Sequence, residues 1–227
     1  MDEDKVQRTA SDAARAKTSM SRLGYYQDPF ISSFLGLAGG ARCPPLINRG
    51  YYARYKSIDT VVRSFLASCA KAGSQSQVVV LGGGSDTMYL RFKRETLQDN
   101  TASDGHIAMP TQFVELDLLE NAIHKVHTIS RSTEMMSLLG FKVKPKVDTA
   151  GVNDGHDSGY VCDPRRGVLR SKGYHVMPCD LRDTGGLDKM VITSGLNLST
   201  PTLFLSECVL IYLEPKHVRF ICTTMQL

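Results

Sequence analysis

The chain has no tryptophan, and none of its apolar runs reaches the ~18 residues that a membrane-spanning helix needs. Its six cysteines contain no Cys-x-x-Cys pair, which excludes the common zinc-binding spacing and a dense disulfide framework. Cys69, Cys179 and Cys208 lie in apolar segments, so we expect them to be buried thiols. Residues 1–20 lack the apolar core of a secretory signal. These absences predict a protein of a reducing compartment, the cytoplasm or alternatively the nucleus, with no metal site and no membrane association.

The chain also has little excess charge, since 27 Lys and Arg stand against 23 Asp and Glu. The basic residues are scattered and form no stripe that could follow a phosphate backbone, so we expect no nucleic-acid partner. No Ser-His-Asp order and no nucleophile elbow occurs. Hydrophobic residues make up 42% of the chain, which suffices for one large domain or a domain with an appendage.

A glycine triplet follows the most apolar run of the chain. Residues 78–81 read Val-Val-Val-Leu, and Gly82, Gly83 and Gly84 come next, which predicts a first parallel strand that ends in a tight turn. The dinucleotide fingerprint Gly-x-Gly-x-x-Gly is absent because Thr87 stands at its third glycine, and no P-loop Lys-Ser/Thr follows. The turn therefore favours a nucleoside with little phosphate, such as S-adenosylmethionine. A purely structural turn, or one for another ligand, remains open.

Apolar periodicity predicts an α/β fold with a mostly parallel sheet. Helical spacing indicates helices over about 57–72 and 118–138, and a long aperiodic loop over 140–172. Strands are predicted at 77–81, 113–117, 174–177 and 202–205. We divide the chain into an N-terminal helical cap or lid, residues 1–56, and a nucleoside-binding domain, residues 57–227.

Acidic residues stand at three of the predicted strand ends. Asp117, Asp180 and Glu207 follow their strands as Gly82 follows the first, and ligands of parallel sheets bind at that edge. Asp117 would accept ribose hydroxyls, and Asp180 with the backbone of Leu181 would face an adenine. Glu207 would lie near the amino and sulfonium groups of a methionyl part. The alternative for each acid is a helix N-cap.

Six segments of the chain, taken in order, resemble the leucine carboxyl methyltransferase family. They include Gly-Tyr-Tyr-Gln-Asp-Pro and Leu-Gly-Gly-Gly-Ser-Asp-Thr, and they occupy residues 24–29, 47–54, 81–87, 114–117, 180–183 and 206–212. The resemblance runs from about residue 10 to about residue 217. It implies a Rossmann-like class I methyltransferase sheet with helices on both faces. It also implies methyl transfer from S-adenosylmethionine to the C-terminal leucine carboxylate of a type-2A protein phosphatase catalytic subunit.

The resemblance also implies the site residues of a monomeric enzyme. Lys17 and Arg54 would bind the methionyl carboxylate, and both are implied by the resemblance alone. The other cofactor contacts that it implies are Gly82, Asp117, Asp180, Leu181 and Glu207. Candidates for a wall that positions the substrate carboxylate are Arg49, Tyr51, Tyr52 and Tyr212.

Family members continue beyond the length of this chain, so we expect a C-terminally shortened product that lacks the last strands of the sheet. The strand at 202–205 would then be an exposed edge, and residues 219–227 match nothing that we can place. We expect low stability and impaired catalysis. Two alternatives are kept: a non-catalytic fragment that binds the phosphatase, and a related carboxyl methyltransferase that acts on a modified tRNA base.

Overall fold

A computed structural model of the chain describes residues 3–36, 41–98, 107–142 and 159–225. Helices and strands alternate along these residues. The helices are α1 (Glu3–Arg22), α2 (Pro45–Lys71), α3 (Met88–Gln98), α4 (Leu119–Ser130), α5 (Thr133–Leu138), α6 (Thr184–Ser194) and α7 (Pro215–Thr224), with 3₁₀ turns at Ile31–Phe34 and Leu210–Tyr212. The strands are β1 (Gln77–Leu81), β2 (Gln112–Asp117), β3 (Val161–Asp163), β4 (Val168–Ser171), β5 (Tyr174–Pro178) and β6 (Thr202–Ser206).

The described strands form one sheet in the order β3-β4-β5-β2-β1-β6. The four strands from β5 to β6 are mutually parallel, and β3 and β4 add an antiparallel hairpin at the other side. The predicted α/β fold with a mostly parallel sheet is therefore confirmed. Among the described residues, β6 has a neighbour on one side only, as expected for an edge strand.

Both faces of the central strands are buried, which explains their nearly continuous apolar sequences. Val79, Leu81, Val114 and Leu116 point to one face, where they form a core with side chains of α6 and α7. Because side chains alternate along a strand, their neighbours on β2 point to the opposite face, on which α4 packs. Within this part of the chain, helices thus cover both faces of the sheet.

The chain separates into two compact units. The sheet unit comprises the described residues of Ser74–Gly84 and Pro110–Leu227, and the helical unit those of Asp2–Gly73 and Ser85–Met109. The boundary within the glycine turn thus falls between Gly84 and Ser85. The boundary predicted between residues 56 and 57 lies inside α2, so the division by contacts and the division by sequence differ.

Three predicted elements differ from those in the structure. The helix predicted from residue 57 begins at Pro45, because prolines suit the first positions of a helix. The helix predicted over 118–138 is broken into α4 and α5 by Ser132, whose extended backbone and side chain cap the second helix by accepting from the Met135 amide. The loop predicted over 140–172 contains the β3–β4 hairpin, whereas its residues 143–158 lie outside the described residues.

Candidate functional site

The ends of four neighbouring parallel strands meet at one edge of the sheet. Leu81 pairs in register with Leu116 on one side and with Ser206 on the other, and Leu116 pairs with Met177. Asp117 is the last residue of β2, and Gly82, Asp180, Leu181 and Glu207 follow the ends of the other three strands. The structure thus brings the five cofactor contacts predicted in the sheet unit to a single edge, as their positions at the strand ends had suggested.

The turn at Gly82 and Gly83 lies against the end of β2. The amides of both glycines donate to the Leu116 carbonyl oxygen, at 2.7 and 3.1 Å. Gly82 has φ +78°, and a Cβ there would collide with Cγ2 of Val209, while a Cβ at Gly83 would lie 2.6 Å from Oε2 of Glu115. A side chain at Gly82 or Gly83 would therefore require Val209 or Glu115 to move.

Asp117 joins the glycine turn to the start of α4. Its Oδ2 accepts from the Gly84 amide at 2.6 Å. Its Oδ1 accepts from the Leu118 amide at 2.7 Å and from Nδ2 of Asn121 at 2.8 Å. A carboxylate accepts about four hydrogen bonds, so this arrangement orients the group and leaves capacity for a ligand hydroxyl. The N-cap position of α4 is Leu118, and Asp117 accepts from none of the amides of the first helical turn, so the helix-cap alternative does not describe this acid.

Asp180 is held by an arginine that the sequence analysis did not single out. Nε and Nη2 of Arg182 lie 2.9 and 2.6 Å from the two carboxylate oxygens, a forked arrangement that fixes the carboxylate plane. The hydrogen bond from Arg182 lowers the pKa of Asp180 from its ordinary value. The Leu181 side chain is buried in the core beside α6, so only its backbone is placed to meet a ligand.

The segment after β6 contains an unusual backbone conformation. Among the described residues, Cys208 is the one residue other than glycine that has a positive φ, at +56°. Its side chain is exposed, so the expectation of a buried thiol is wrong for Cys208, whereas Cys69 and Cys179 are buried. The left-handed turn at Cys208 separates Glu207 from Val209, the residue that packs over Gly82.

In the helical unit, Lys17 is almost completely buried, and its ammonium lies 2.7 Å from Oδ2 of Asp86. Oδ1 of Asp86 accepts from the Met88 amide at 2.7 Å, so this aspartate also caps the start of α3. The ion pair with Asp86 therefore fixes the position of the Lys17 ammonium within the helical unit.

The predicted substrate wall is divided between the two units. On α2, the Arg54 guanidinium stacks over the Tyr51 ring at 5.2 Å, whereas the Tyr52 ring packs 5.7 Å from that of Tyr25. Arg49 lies on the same helix and is exposed. Tyr212 belongs to the sheet unit, where it ends the 3₁₀ turn Leu210–Tyr212.

A buried polar cluster beneath the glycine turn was missed by the sequence analysis. Glu115, Lys125 and Tyr174 are 2%, 1% and 1% exposed, although two of them are charged. Lys125 Nζ donates to Oε2 of Glu115, and the Tyr174 hydroxyl donates to Oε1 at 3.0 Å. A signal existed, because Glu115 interrupts a buried strand, and Lys125 shares the helical spacing of the apolar Ala122, Val126 and Ile129.

The residues at the sheet edge fit a nucleoside cofactor. They combine an oriented carboxylate for hydroxyl groups, a second one fixed by arginine, and a turn whose backbone carries no side chains. The described residues include no group of three or more His, Cys, Asp or Glu side chains that could hold a metal ion. None of the described helices has both the length and the apolar character needed to cross a membrane.

A mostly parallel sheet with a glycine turn and carboxylates at its strand ends is that of a Rossmann-like methyltransferase fold. The chain belongs to the leucine carboxyl methyltransferase family, whose model matches residues 6–226. The match therefore continues through most of residues 219–227, where the sequence analysis had expected the resemblance to end.

Individual relatives carry two kinds of name. The chain is 31% identical over 216 residues to the leucine carboxyl methyltransferase 1 homolog of Arabidopsis thaliana, covering 95% of this chain and 55% of the relative. It is 29% identical to leucine carboxyl methyltransferase 1 of Schizosaccharomyces pombe, covering 97% and 60%. It is 32% identical to the human tRNA wybutosine-synthesizing protein 4, covering 93% of this chain and 27% of the relative. The chain thus spans little more than half of the leucine carboxyl methyltransferases that it matches.

Proposed function

We propose that this chain binds S-adenosylmethionine and acts in methyl transfer to the C-terminal leucine carboxylate of a type-2A protein phosphatase catalytic subunit, in the cytoplasm. The observation that carries the proposal is the alignment of Gly82, Asp117, Asp180 and Glu207 at the end of four parallel strands. Asp117 would hold the ribose, Asp180 and the Leu181 backbone the adenine, and Glu207 the methionyl amino group. Lys17 and Arg54 are proposed for the methionyl carboxylate from the resemblance alone.

The reaction requires little proton transfer by the side chains of the protein. When bound, S-adenosylmethionine would supply a methyl group on a positively charged sulfur, a leaving group that would keep the electron pair of the broken C–S bond. The accepting α-carboxyl group has a pKa of about 3.5 and is already ionised at neutral pH, so no general base is needed. The residues of this chain would therefore act by orienting the two reactants and excluding water.

The candidates for positioning the acceptor carboxylate are Arg49, Tyr51, Tyr52 and Tyr212. Arg49 is the exposed cation of this set, and an arginine fork matches a carboxylate in charge and in shape. We expect Arg49→Ala to weaken the use of the phosphatase as a substrate while leaving cofactor affinity unchanged. Unchanged methyl transfer by this variant would remove Arg49 from the proposal.

The first test is a calorimetric titration of the chain with S-adenosylhomocysteine. We expect binding by the unchanged chain and its loss in Asp117→Ala, because the variant removes the ribose acceptor and the group that holds the Gly84 amide. Asp163→Ala is the matched control, because Asp163 also accepts two backbone amides, at the hairpin turn on the outer side of the sheet. A folded chain that does not bind S-adenosylhomocysteine would contradict the proposed function.

A second candidate is methylation of a carboxyl group on a modified tRNA base, because the human tRNA wybutosine-synthesizing protein 4 matches at a similar identity. The same cofactor edge would serve both reactions, so the two candidates can be distinguished only by the molecule that accepts the methyl group. Methyl transfer to a phosphatase C-terminal peptide, compared with transfer to bulk tRNA, separates them. Activity on tRNA alone would replace the first candidate.

A third candidate is a fragment that binds the phosphatase without catalysis. It would retain cofactor-independent binding of the phosphatase but no methyl transfer. A pull-down with the phosphatase and with a form lacking its terminal leucine, run beside the transfer assay, distinguishes this candidate. Binding that requires the leucine, without transfer, would favour it over the catalytic one.

A further inference from the structure

The side chains of two alternate residues on β2, Glu115 and Asp117, each lie between the glycine turn and α4. In the upper layer of contacts, Asp117 accepts from the Gly84 amide and from Asn121 Nδ2. In the lower layer, the Glu115 carboxylate lies against Gly83 and accepts from Lys125. Glu115 and Asp117 are two residues apart on β2, and their partners Lys125 and Asn121 are four residues apart on α4. These spacings keep side chains on one face of a strand and on one face of a helix.

The lower layer is costly in a buried parallel sheet. Removing a carboxylate and an ammonium from water is unfavourable, and well-packed apolar side chains of similar size would serve stability equally well or better. Glu115 is nevertheless almost fully buried and receives donors on both carboxylate oxygens. Unlike an apolar side chain, such a carboxylate is held at one position by directional contacts.

That position is the one on which the glycine turn rests. A Cβ on Gly83 would lie 2.6 Å from Oε2 and 3.0 Å from Cβ of Glu115, so the turn touches this side chain with no spare room. The next residue, Gly84, donates to Asp117. A displacement of the Glu115 carboxylate would therefore move Gly83 and alter the hydrogen bond that orients the Asp117 carboxylate.

We propose that Glu115, held by Lys125 and Tyr174, is a positioning residue for the cofactor edge: it places the glycine turn and, through it, the carboxylate of Asp117. The inference rests on the proposed function, since it concerns how the sheet unit prepares Asp117 for a ribose. None of the three residues of the lower layer contacts the cofactor in this proposal.

The test uses Tyr174→Phe, which deletes only the hydroxyl that donates to Oε1 of Glu115. We expect the dissociation constant for S-adenosylhomocysteine to rise about fivefold, the usual weight of one hydrogen bond. The matched control is Val126→Ala, a cavity variant at a fully buried position of α4 next to Lys125. The control should unfold at lower urea concentration than the unchanged chain but bind S-adenosylhomocysteine within twofold of it.

A second readout needs no ligand. Amide hydrogen exchange at Gly82 and Gly83, whose amides donate to Leu116, reports local opening of the turn. We expect Tyr174→Phe to accelerate exchange there relative to Val79 in the centre of β1, and Val126→Ala to change both sites together. Lys125→Met should show a larger effect in the same direction, although it leaves Glu115 without its cation and is expected to fold less stably.

The outcomes are distinguishable. Suppose that the unchanged chain binds S-adenosylhomocysteine, and that Tyr174→Phe and Val126→Ala either bind it equally well or lose affinity in proportion to their urea midpoints. The positioning role of Glu115 is then overturned, and the proposed function stands. If the unchanged chain does not bind, the proposed function fails, and the exchange experiment alone decides whether the lower layer positions the turn.

Discussion

The helical unit and the sheet unit use carboxylates in opposite ways. In the helical unit, Asp28 and Asp59 are buried around Arg91, which is itself only 8% exposed. Arg91 lies 3.9 Å from Asp28 and 3.5 Å from Asp59. These acids serve to neutralise a buried guanidinium and to hold chain segments of the same unit together.

In the sheet unit, the carboxylates at the strand ends remain half-exposed. Asp117 and Asp180 are oriented by the Gly84 amide and by Arg182, but neither is enclosed. Among the described residues of this unit, Glu115 is a carboxylate that is almost fully buried, and it lies two residues before Asp117 on β2. The comparison indicates that the buried acids organise the fold, whereas the acids at the strand ends are oriented and still accessible, as the proposed cofactor edge requires.

The largest effect is expected from Asp28→Ala in the helical unit. Asp28 accepts from the amides of Phe30 and Ile31 at 3.0 and 3.1 Å. It also accepts from the hydroxyls of Tyr26 and Thr87 at 3.2 and 2.6 Å. Its loss leaves these four donors without their acceptor and removes one of the two carboxylates beside the buried Arg91 guanidinium. We therefore expect urea denaturation to show a fall of about 3–5 kcal/mol in the free energy of unfolding.

Asp12→Ala is the control for this prediction, because Asp12 belongs to the same unit but forms an exposed pair with Arg15. We expect it to change the free energy of unfolding by about 0.5 kcal/mol or less. Equal effects of the two substitutions would break the distinction between buried organising acids and exposed ones.

A smaller effect is expected from a glycine comparison between the units. Gly73 and Gly82 have nearly the same backbone, with φ +67° and +78°, but a Cβ meets nothing within 4 Å at Gly73 and collides with Val209 at Gly82. Gly73→Ala should therefore cost only the left-handed backbone penalty of about 1–2 kcal/mol. Gly82→Ala adds an overpacking cost of about 1–3 kcal/mol.

The steric part of this difference can be isolated with Val209→Ala, which removes the methyl group that the new Cβ would meet. In thermal or urea unfolding, the double variant Gly82→Ala with Val209→Ala should recover stability relative to Gly82→Ala alone. Additive losses in the double variant would show that the turn needs glycine for its backbone only.

The parallel part of the fold was predictable because its signals are local. The apolar run before Gly82 gives β1 with the bounds that the structure shows, and Phe-Val-Glu-Leu-Asp gives β2 to within one residue. The β3–β4 hairpin was missed because its strands have three and four residues and lie in a polar segment. Short antiparallel edge strands carry a weak hydrophobic pattern, although Asp-Pro-Arg-Arg-Gly is a turn signal.

The part of the candidate site that could be predicted consists of the residues at the strand ends. Parallel strands place their carboxyl ends at one edge, so Asp117, Asp180 and Glu207 could be grouped without coordinates. The contacts that orient these acids could not be predicted. The pairing of Glu115 with Lys125 depends on which face of α4 meets β2, and the fork from Arg182 to Asp180 depends on the geometry of a turn.

The smallest effect on stability is expected from Arg182→Met. This variant tests whether the Arg182 guanidinium orients the accessible Asp180 carboxylate. Arg182 lowers the pKa of Asp180 chiefly through its hydrogen bonds, with His217 as a further positive neighbour. The variant should move this pKa toward the ordinary value of 3.8, measured by titrating the carboxyl carbon with NMR. The pair is exposed on both sides, so we expect a stability loss below about 1 kcal/mol at neutral pH.

The sign of the pH dependence follows from the depressed pKa. An acid with a lower pKa in the folded state stabilises the fold above its unfolded pKa, and this contribution disappears as the pH falls through the folded pKa. The stability difference between the unchanged chain and Arg182→Met should therefore be present at neutral pH and vanish well below pH 3.8. Arg165→Met, at an exposed arginine of the hairpin turn, should leave the Asp180 titration unchanged. A pKa of Asp180 that stays low in Arg182→Met would mean that the backbone, rather than the arginine fork, prepares this acid for a ligand.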